Sequence, residues 1–246
     1  MIIAVCGKGG VGKTTISAVA ANALSGRKEK ALIVDADPAG GLGMALSLQA
    51  KKTLNDVRKE IIEEVKAGER DSRDLAVSLD YLLAEALTER GNLAFISIGR
   101  PEDEGCYCKV NVLLKDAIEG LAGRFDFTII DAEAGIEQVN RKVMSVVDYL
   151  LLVSDTSSKA VRVAETIKGV ADQMIGGASA GLLVNRVREG QDLKVLKGGT
   201  GLEIIGAIPE DDTIRRFDEK EQSFFELPDT PAVAAIVEAL EKVGLL

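Results

Sequence analysis

Histidine and tryptophan are missing from this chain, and cysteine occurs only three times in 246 residues. Without imidazole, a metal site would have to be built from thiolates, carboxylates or water. In a cytosolic chain a close pair of cysteines points to metal or redox chemistry sooner than to a structural disulfide. Cations are also in deficit. With 39 acidic against 30 basic residues the formal charge is −9, which argues against a broad nucleic-acid surface and leaves room only for a local basic patch. No apolar run approaches the roughly 20 residues that span a bilayer, and no charged leader with a cleavage site precedes the first apolar segment. The expectation is a cytoplasmic protein with neither a membrane nor a nucleic-acid partner. Internal repeats, low-complexity tracts and clear linkers are absent as well. A hydrophobic fraction of 46% is ample for one α/β domain over residues 1–246.

What is present begins at once. The apolar run Met1–Cys6 leads into Gly7-Lys8-Gly9-Gly10-Val11-Gly12-Lys13-Thr14-Thr15, and a helical pattern follows at 16–24. A glycine, four residues, then Gly-Lys-Thr between a strand and a helix is the P-loop pattern in the context that makes it specific. Each residue type has a physical task. Backbone N–H groups from Gly9 to Thr15 converge on phosphate oxygens, Lys13 neutralises the β and γ phosphates, and the Thr14 hydroxyl is placed for Mg²⁺. The helix dipole adds to the attraction.

Strand-like apolar runs at 2–6, 31–35, 93–98, 127–131, 149–153, 181–184 and 204–207 alternate with helical or loop segments. The fold class they predict is α/β, a doubly wound and mainly parallel sheet with flanking helices, as in P-loop NTPases. Ligands of such sheets gather at the carboxyl ends of the strands. Between 51 and 92, apolar residues at helical spacing (Leu54, Val57, Ile61, then Leu79, Leu82, Leu83) predict amphipathic helices beside the sheet. The charged stretch 69–74 reads as a solvated connection. Thr230–Leu246 reads as a terminal core helix.

Lys8 occupies a position that the general pattern leaves free, and Gly-Lys-Gly-Gly-Val-Gly-Lys-Thr resembles the deviant Walker A motif of the MinD, ParA, ArsA and nitrogenase-iron-protein superfamily. The resemblance implies ATP as ligand and an ATP-sandwiched homodimer in which Lys8 reaches the partner's nucleotide. It also gives meaning to other strand ends. Asp35-Ala36-Asp37-Pro38 is similar to switch I, with Asp37 implied to position or activate the attacking water. Phe127–Asp131 is similar to Walker B, with Asp131 implied to reach Mg²⁺ through water, and Gly135 falls in a switch II-like segment. Asn185 and Pro209-Glu210 resemble adenine-binding segments. The basic amphipathic tail of MinD-type proteins has no counterpart at the acidic carboxyl end here.

Gly105-Cys106-Tyr107-Cys108 sets the chain apart. A closed thiolate site wants four ligands, and this pair supplies two. Cys6, on the strand entering the loop, reads as a small buried apolar residue. The simplest all-thiolate solution takes Cys106 and Cys108 from each of two subunits; a redox pair and a pair without chemistry are the alternatives. Gly99-Arg100-Pro101-Glu102, Gly105–Cys108, Asn111 and Leu113-Leu114 resemble the CooC-type accessory ATPases of carbon monoxide dehydrogenase. That resemblance implies nickel or zinc on the paired cysteines at a dimer interface and a nickel-enzyme client. A MinD-like or ParA-like positioning protein is the other reading.

Overall fold

The computed structural model describes residues 1–67, 72–100, 119–132, 147–175, 179–191 and 199–246. Its frame is an eight-stranded sheet made of β1 (Ile2–Gly7), β2 (Ala31–Asp35), β3 (Thr88–Arg90), β4 (Leu93–Ser97), β5 (Phe127–Asp131), β6 (Tyr149–Ser154), β7 (Ser179–Val187) and β8 (Ile204–Pro209). The spatial order is β3-β4-β2-β5-β1-β6-β7-β8. Every pairing is parallel except β3 with β4. All the strands expected from the apolar runs are present, and β3 is an addition. Thr-Glu-Arg is polar and half-exposed to exposed, as an edge strand can be.

Parallel strands need crossover helices, and these cover both faces. On one side lie α1 (Lys13–Leu24), α2 (Gly41–Leu46) and the helix Pro231–Lys242; on the other lie α3 (Leu54–Ala67), α4 (Ser72–Ala86) and α5 (Ser158–Ile175). Side chains of β1 alternate between the two cores: Ile3 and Val5 pack with Ile16 and Val19 of α1, whereas Ala4 and Cys6 face the layer of Leu54, Val57 and Ile61. Both sets are buried, so the central strand reads as a continuous apolar run. Phe95 of β4 is 1% exposed, and truncating a phenylalanine buried to that degree costs about 3–5 kcal/mol.

Helix α6 (Asp212–Glu219) follows β8, and the helix Pro231–Lys242 already placed on the sheet is α7. Asp211 caps α6 by accepting from the N–H groups of Thr213 at 2.7 Å and Ile214 at 3.2 Å. Thr230 caps α7 through Val233 N–H at 3.2 Å, with Pro231 at the first helical position. The carboxyl-terminal segment is a core helix as expected, since Ala232, Val233, Ile236, Ala239 and Leu240 are buried. The 69–74 stretch differs from its reading as a connection. Helix α4 begins at Ser72, and residues 68–71 lie outside the described set. Among the described residues no helix is long and apolar enough to cross a membrane.

Candidate phosphate-loop site

The carboxyl end of β1 opens into the glycine loop at the middle of the sheet, between β5 and β6. Close approach dictates its first glycine: a Cβ on Gly7 would lie 2.1 Å from the Val153 carbonyl oxygen of β6. Gly10 and Gly12 have φ of 81° and 98°, in the left-handed region that glycine enters freely. Gly12 is also the N-cap of α1. Having no side chain, it leaves the first-turn N–H groups of the helix for another acceptor.

Lys13 is buried, and its Nζ donates to the Lys8 carbonyl at 3.4 Å. Lys8 itself is half-buried, while Gly9 and Gly10 are exposed. Thr14 Oγ1 donates to Asp131 Oδ2 at 2.7 Å, and Ser17 Oγ donates to Asp131 Oδ1 at 3.0 Å. Helical spacing carries Ser17 onto the face of Thr14, a relation that i, i+3 counting from the P-loop threonine can find. Asp131 is 1% exposed. Its carboxyl is raised to about 6, by burial above all and by Asp35 in smaller part, with the Thr14 and Ser17 hydroxyls and Lys13 partly offsetting the rise. A carboxylate and a hydroxyl in contact form an oxygen donor set that fits a hard divalent cation such as Mg²⁺.

The two carboxylates after β2 have separate surroundings. Asp35 is fully buried and accepts from the N–H groups of Asp37 at 3.2 Å, Leu42 at 3.1 Å and Gly43 at 3.0 Å, which ties the start of α2 to the strand end. Asp37 is half-buried and uses one oxygen to accept from Ala39 N–H at 2.8 Å. The segment that follows lies against the loop helix: a Cβ on Gly41 would touch Thr14 Cγ2 at 3.6 Å. Ile98 N–H donates to the Asp35 carbonyl at 2.8 Å, so the end of β4 hangs from the same strand end.

Beside the loop is a cavity of about 310 Å³, at the small end for ligand pockets, with Thr15, Asn185, Pro209 and Glu210 among its lining. The expected base-site residues are thus brought together next to Thr15. Asn185 is buried and already engaged, donating from Nδ2 to the Val11 carbonyl at 2.8 Å and accepting at Oδ1 from Arg186 N–H at 2.9 Å. Arg186, which the sequence reading passed over, donates from Nη1 to the Gly10 carbonyl at 3.0 Å. Asp155, past the end of β6, was passed over too. Burial would raise its carboxyl, but hydrogen bonds from Ser157 and the Lys8 and Arg186 cations win and hold it below the ordinary range.

Cys6 is 2% exposed, and burial pushes its thiol up to about 12, so it stays a neutral core side chain at physiological pH. Cys106, Cys108 and Gly135 lie outside the described residues. Among the described residues no group of three or more Cys, Asp or Glu is placed to hold a metal ion.

A mainly parallel sheet with a glycine loop turning from its central strand into a helix, and a threonine and strand-end aspartate joined beneath that loop, defines a P-loop NTPase. By sequence, the chain belongs to the family described as an AAA domain, which matches residues 1–175. An uncharacterised ATP-binding protein of Methanocaldococcus jannaschii is 35% identical over 99% of this chain and 98% of its own. The carbon monoxide dehydrogenase accessory protein CooC of Rhodospirillum rubrum is 27% identical over 99% of this chain and 98% of its own. Among solved structures, the MinC:MinD cell division complex of Aquifex aeolicus superposes with a TM-score of 0.72 at 24% identity, covering 99% of this chain and 95% of the other. The chain has the MinD/ParA-type fold.

Proposed function

We propose that the protein is an ATP-hydrolysing switch, one domain over residues 1–246, that dimerises around Mg-ATP and carries nickel or zinc to a nickel enzyme such as carbon monoxide dehydrogenase. The observation that carries the nucleotide part is the 2.7 Å hydrogen bond from Thr14 to Asp131 at the base of the glycine loop. These two residues would hold Mg²⁺, which supplies charge neutralisation for the β and γ phosphates. Backbone N–H groups from Gly9 to Thr15 bind the phosphates, Lys13 adds its charge, and Asn185, Pro209 and Glu210 line the base pocket. Asp37 orients the attacking water, and Gly135 reads the γ-phosphate. Lys8 acts across the dimer on the partner's nucleotide. A cation supplied in trans to the γ-phosphate favours the ATP state and stabilises charge in the transition state.

The metal part is supported by Cys106 and Cys108 and by the likeness to the Rhodospirillum rubrum accessory protein over nearly the whole of both chains. Two cysteines per subunit make a four-thiolate site only when two subunits meet, so ATP and metal favour the same assembly. Linkage then requires that each tighten the binding of the other. The metal is cargo in this scheme, and the protein is cytoplasmic with no membrane or nucleic-acid partner.

The test is nickel and zinc binding to the reduced protein with and without Mg-ATP, with sedimentation to count subunits, beside a Cys106→Ser/Cys108→Ser variant. One metal per dimer, lost in the variant, is the expected result. Cysteine-independent or absent metal binding would return the protein to the second reading, an ATP-switched positioning protein, which the superposition on MinD supports at the level of fold. Lys8→Gln should leave ATP binding by the monomer in place and abolish the ATP-dependent dimer; a variant that still dimerises would remove Lys8 from the interface.

A further inference from the structure

We propose that Asn185 and Arg186, at the carboxyl end of β7, are positioning residues for the phosphate loop: they grip it by two consecutive carbonyls and thereby aim its N–H groups. The inference rests on the nucleotide reading above and assigns to that site two side chains that act through the loop.

The geometry is that of the peptide plane. Arg186 Nη1 donates to the Gly10 carbonyl at 3.0 Å and Asn185 Nδ2 donates to the Val11 carbonyl at 2.8 Å. The chain contains no cis peptide bond among the described residues. In a trans peptide the C=O and the following N–H are coplanar and point in opposite directions. Fixing the Gly10 carbonyl therefore fixes the Val11 N–H, and fixing the Val11 carbonyl fixes the Gly12 N–H. Those are the donors that a glycine-rich loop turns on a phosphate. A loop holding them in place before the anion arrives loses less entropy on binding it.

The local structure is arranged around this grip. Asn185 is 8% exposed, and both ends of its amide are committed, since Oδ1 accepts from Arg186 N–H at 2.9 Å. One end meets a carbonyl and the other an N–H, so the amide has one workable orientation. Gly12 admits it, because a Cβ there would sit 2.3 Å from Asn185 Nδ2. Arg186 takes φ of 57°, a left-handed conformation rare for a residue with a side chain, in the same turn that delivers its guanidinium to Gly10. The run Val184-Asn185-Arg186-Val187 coincides with a register break between β7 and β8. Base discrimination then falls to other residues of the cavity lining, Pro209 and Glu210 among them.

The experiment titrates Mg-ATP, Mg-GTP and Mg-tripolyphosphate calorimetrically into the wild-type protein and into Arg186→Ala and Asn185→Ser variants. The expected result is a loss of roughly tenfold per variant that is the same for Mg-ATP and Mg-tripolyphosphate, with the ATP-to-GTP ratio unchanged. The loss in Arg186→Ala should persist at about 0.5 M salt, where a direct attraction between the guanidinium and phosphate is largely screened. Arg186 is exposed, so its truncation keeps the test readable even where Asn185→Ser compromises folding. Loss of ATP affinity with tripolyphosphate binding intact would make Asn185 a reader of the base and overturn the proposal. Disappearance of the Arg186→Ala effect at high salt, or unchanged affinities in both variants, would overturn it as well. A wild-type protein that binds none of the three ligands would instead overturn the nucleotide reading beneath it.

Discussion

Replacing Asp131 by asparagine should stabilise the protein that lacks nucleotide and magnesium while removing its response to both. Asp131 is 1% exposed, and burial, with Asp35 nearby, raises its carboxyl from the ordinary 3.8 to about 6. The folded state therefore holds this proton more tightly than the unfolded chain does. The resulting stabilisation is complete below about pH 4 and is lost as pH rises through about 6. At neutral pH the charged carboxylate costs up to about 3 kcal/mol, at about 1.4 kcal/mol per pH unit. Asparagine removes that charge, keeps the size and offers an oxygen to Thr14 or Ser17. At pH 7.5 Asp131→Asn should melt about 6–12 °C above the wild type without ligands, by the usual conversion for a domain of this length. The two proteins should converge only below about pH 4, where the carboxyl is protonated in both the folded and the unfolded chain. Adding Mg-ATP at pH 7.5 should raise the melting temperature of the wild type and leave the variant where it was. Calorimetric or urea unfolding across this range checks each statement. A variant less stable than the wild type at pH 7.5 without ligands, or a difference that does not change with pH, would refute the argument that Asp131 is a charge held under strain for a cation.

Three further outcomes can be checked separately. Gly12→Ala should weaken Mg-ATP binding by about tenfold or more, since φ of 98° and the Asn185 amide 2.3 Å from the added carbon both oppose it; titration calorimetry reads the loss. Cys6, neutral and buried, should escape N-ethylmaleimide in the folded protein and react only after unfolding, as peptide mass spectrometry can map. Thr230→Ala should cost about 1 kcal/mol in urea unfolding through loss of the α7 cap, and Thr230→Ser should restore most of it.

The sheet was legible because its strands are buried on both faces and read as short apolar runs bounded by charged or glycine-rich segments. Strand β3 was not, since Thr88-Glu89-Arg90 has neither an apolar run nor an alternating pattern; it is a strand only because β4 offers it an edge. The phosphate loop was legible for a different reason. Its glycines meet local demands, a positive φ at Gly10 and Gly12 and the β6 backbone beside Gly7, so residue type and spacing carry the geometry. The division of labour between Asp35 and Asp37 was half legible. Two carboxylates at a strand end are visible in the sequence, but that Asp35 caps α2 is not, because the N–H groups of Leu42 and Gly43 become its partners only once α2 folds back. The grip of Asn185 and Arg186 on Gly10 and Val11 had no signal at all. It joins residues 174 and 176 positions apart, and strand-end asparagine and arginine are common for other reasons.

The central place of β1 also orders the birth of the molecule. Ile2 lies opposite Thr128 on one side, and Ile3 lies opposite Tyr149 on the other, so the first strand synthesised has no partner until β5 and β6 have been made. The earliest sheet contacts open to a growing chain are the β3–β4 hairpin, residues 88–90 with 93–95, and β2 with β4, residues 31–35 with 93–97. Until residue 131 is available the phosphate loop hangs from an apolar strand with both edges open, and until residue 154 one edge stays open, which is the condition that invites aggregation or chaperone capture. ATP can then serve as a folding ligand only late: chains stalled ahead of β6 should gain no protease resistance from Mg-ATP, and chains stalled beyond β7 should.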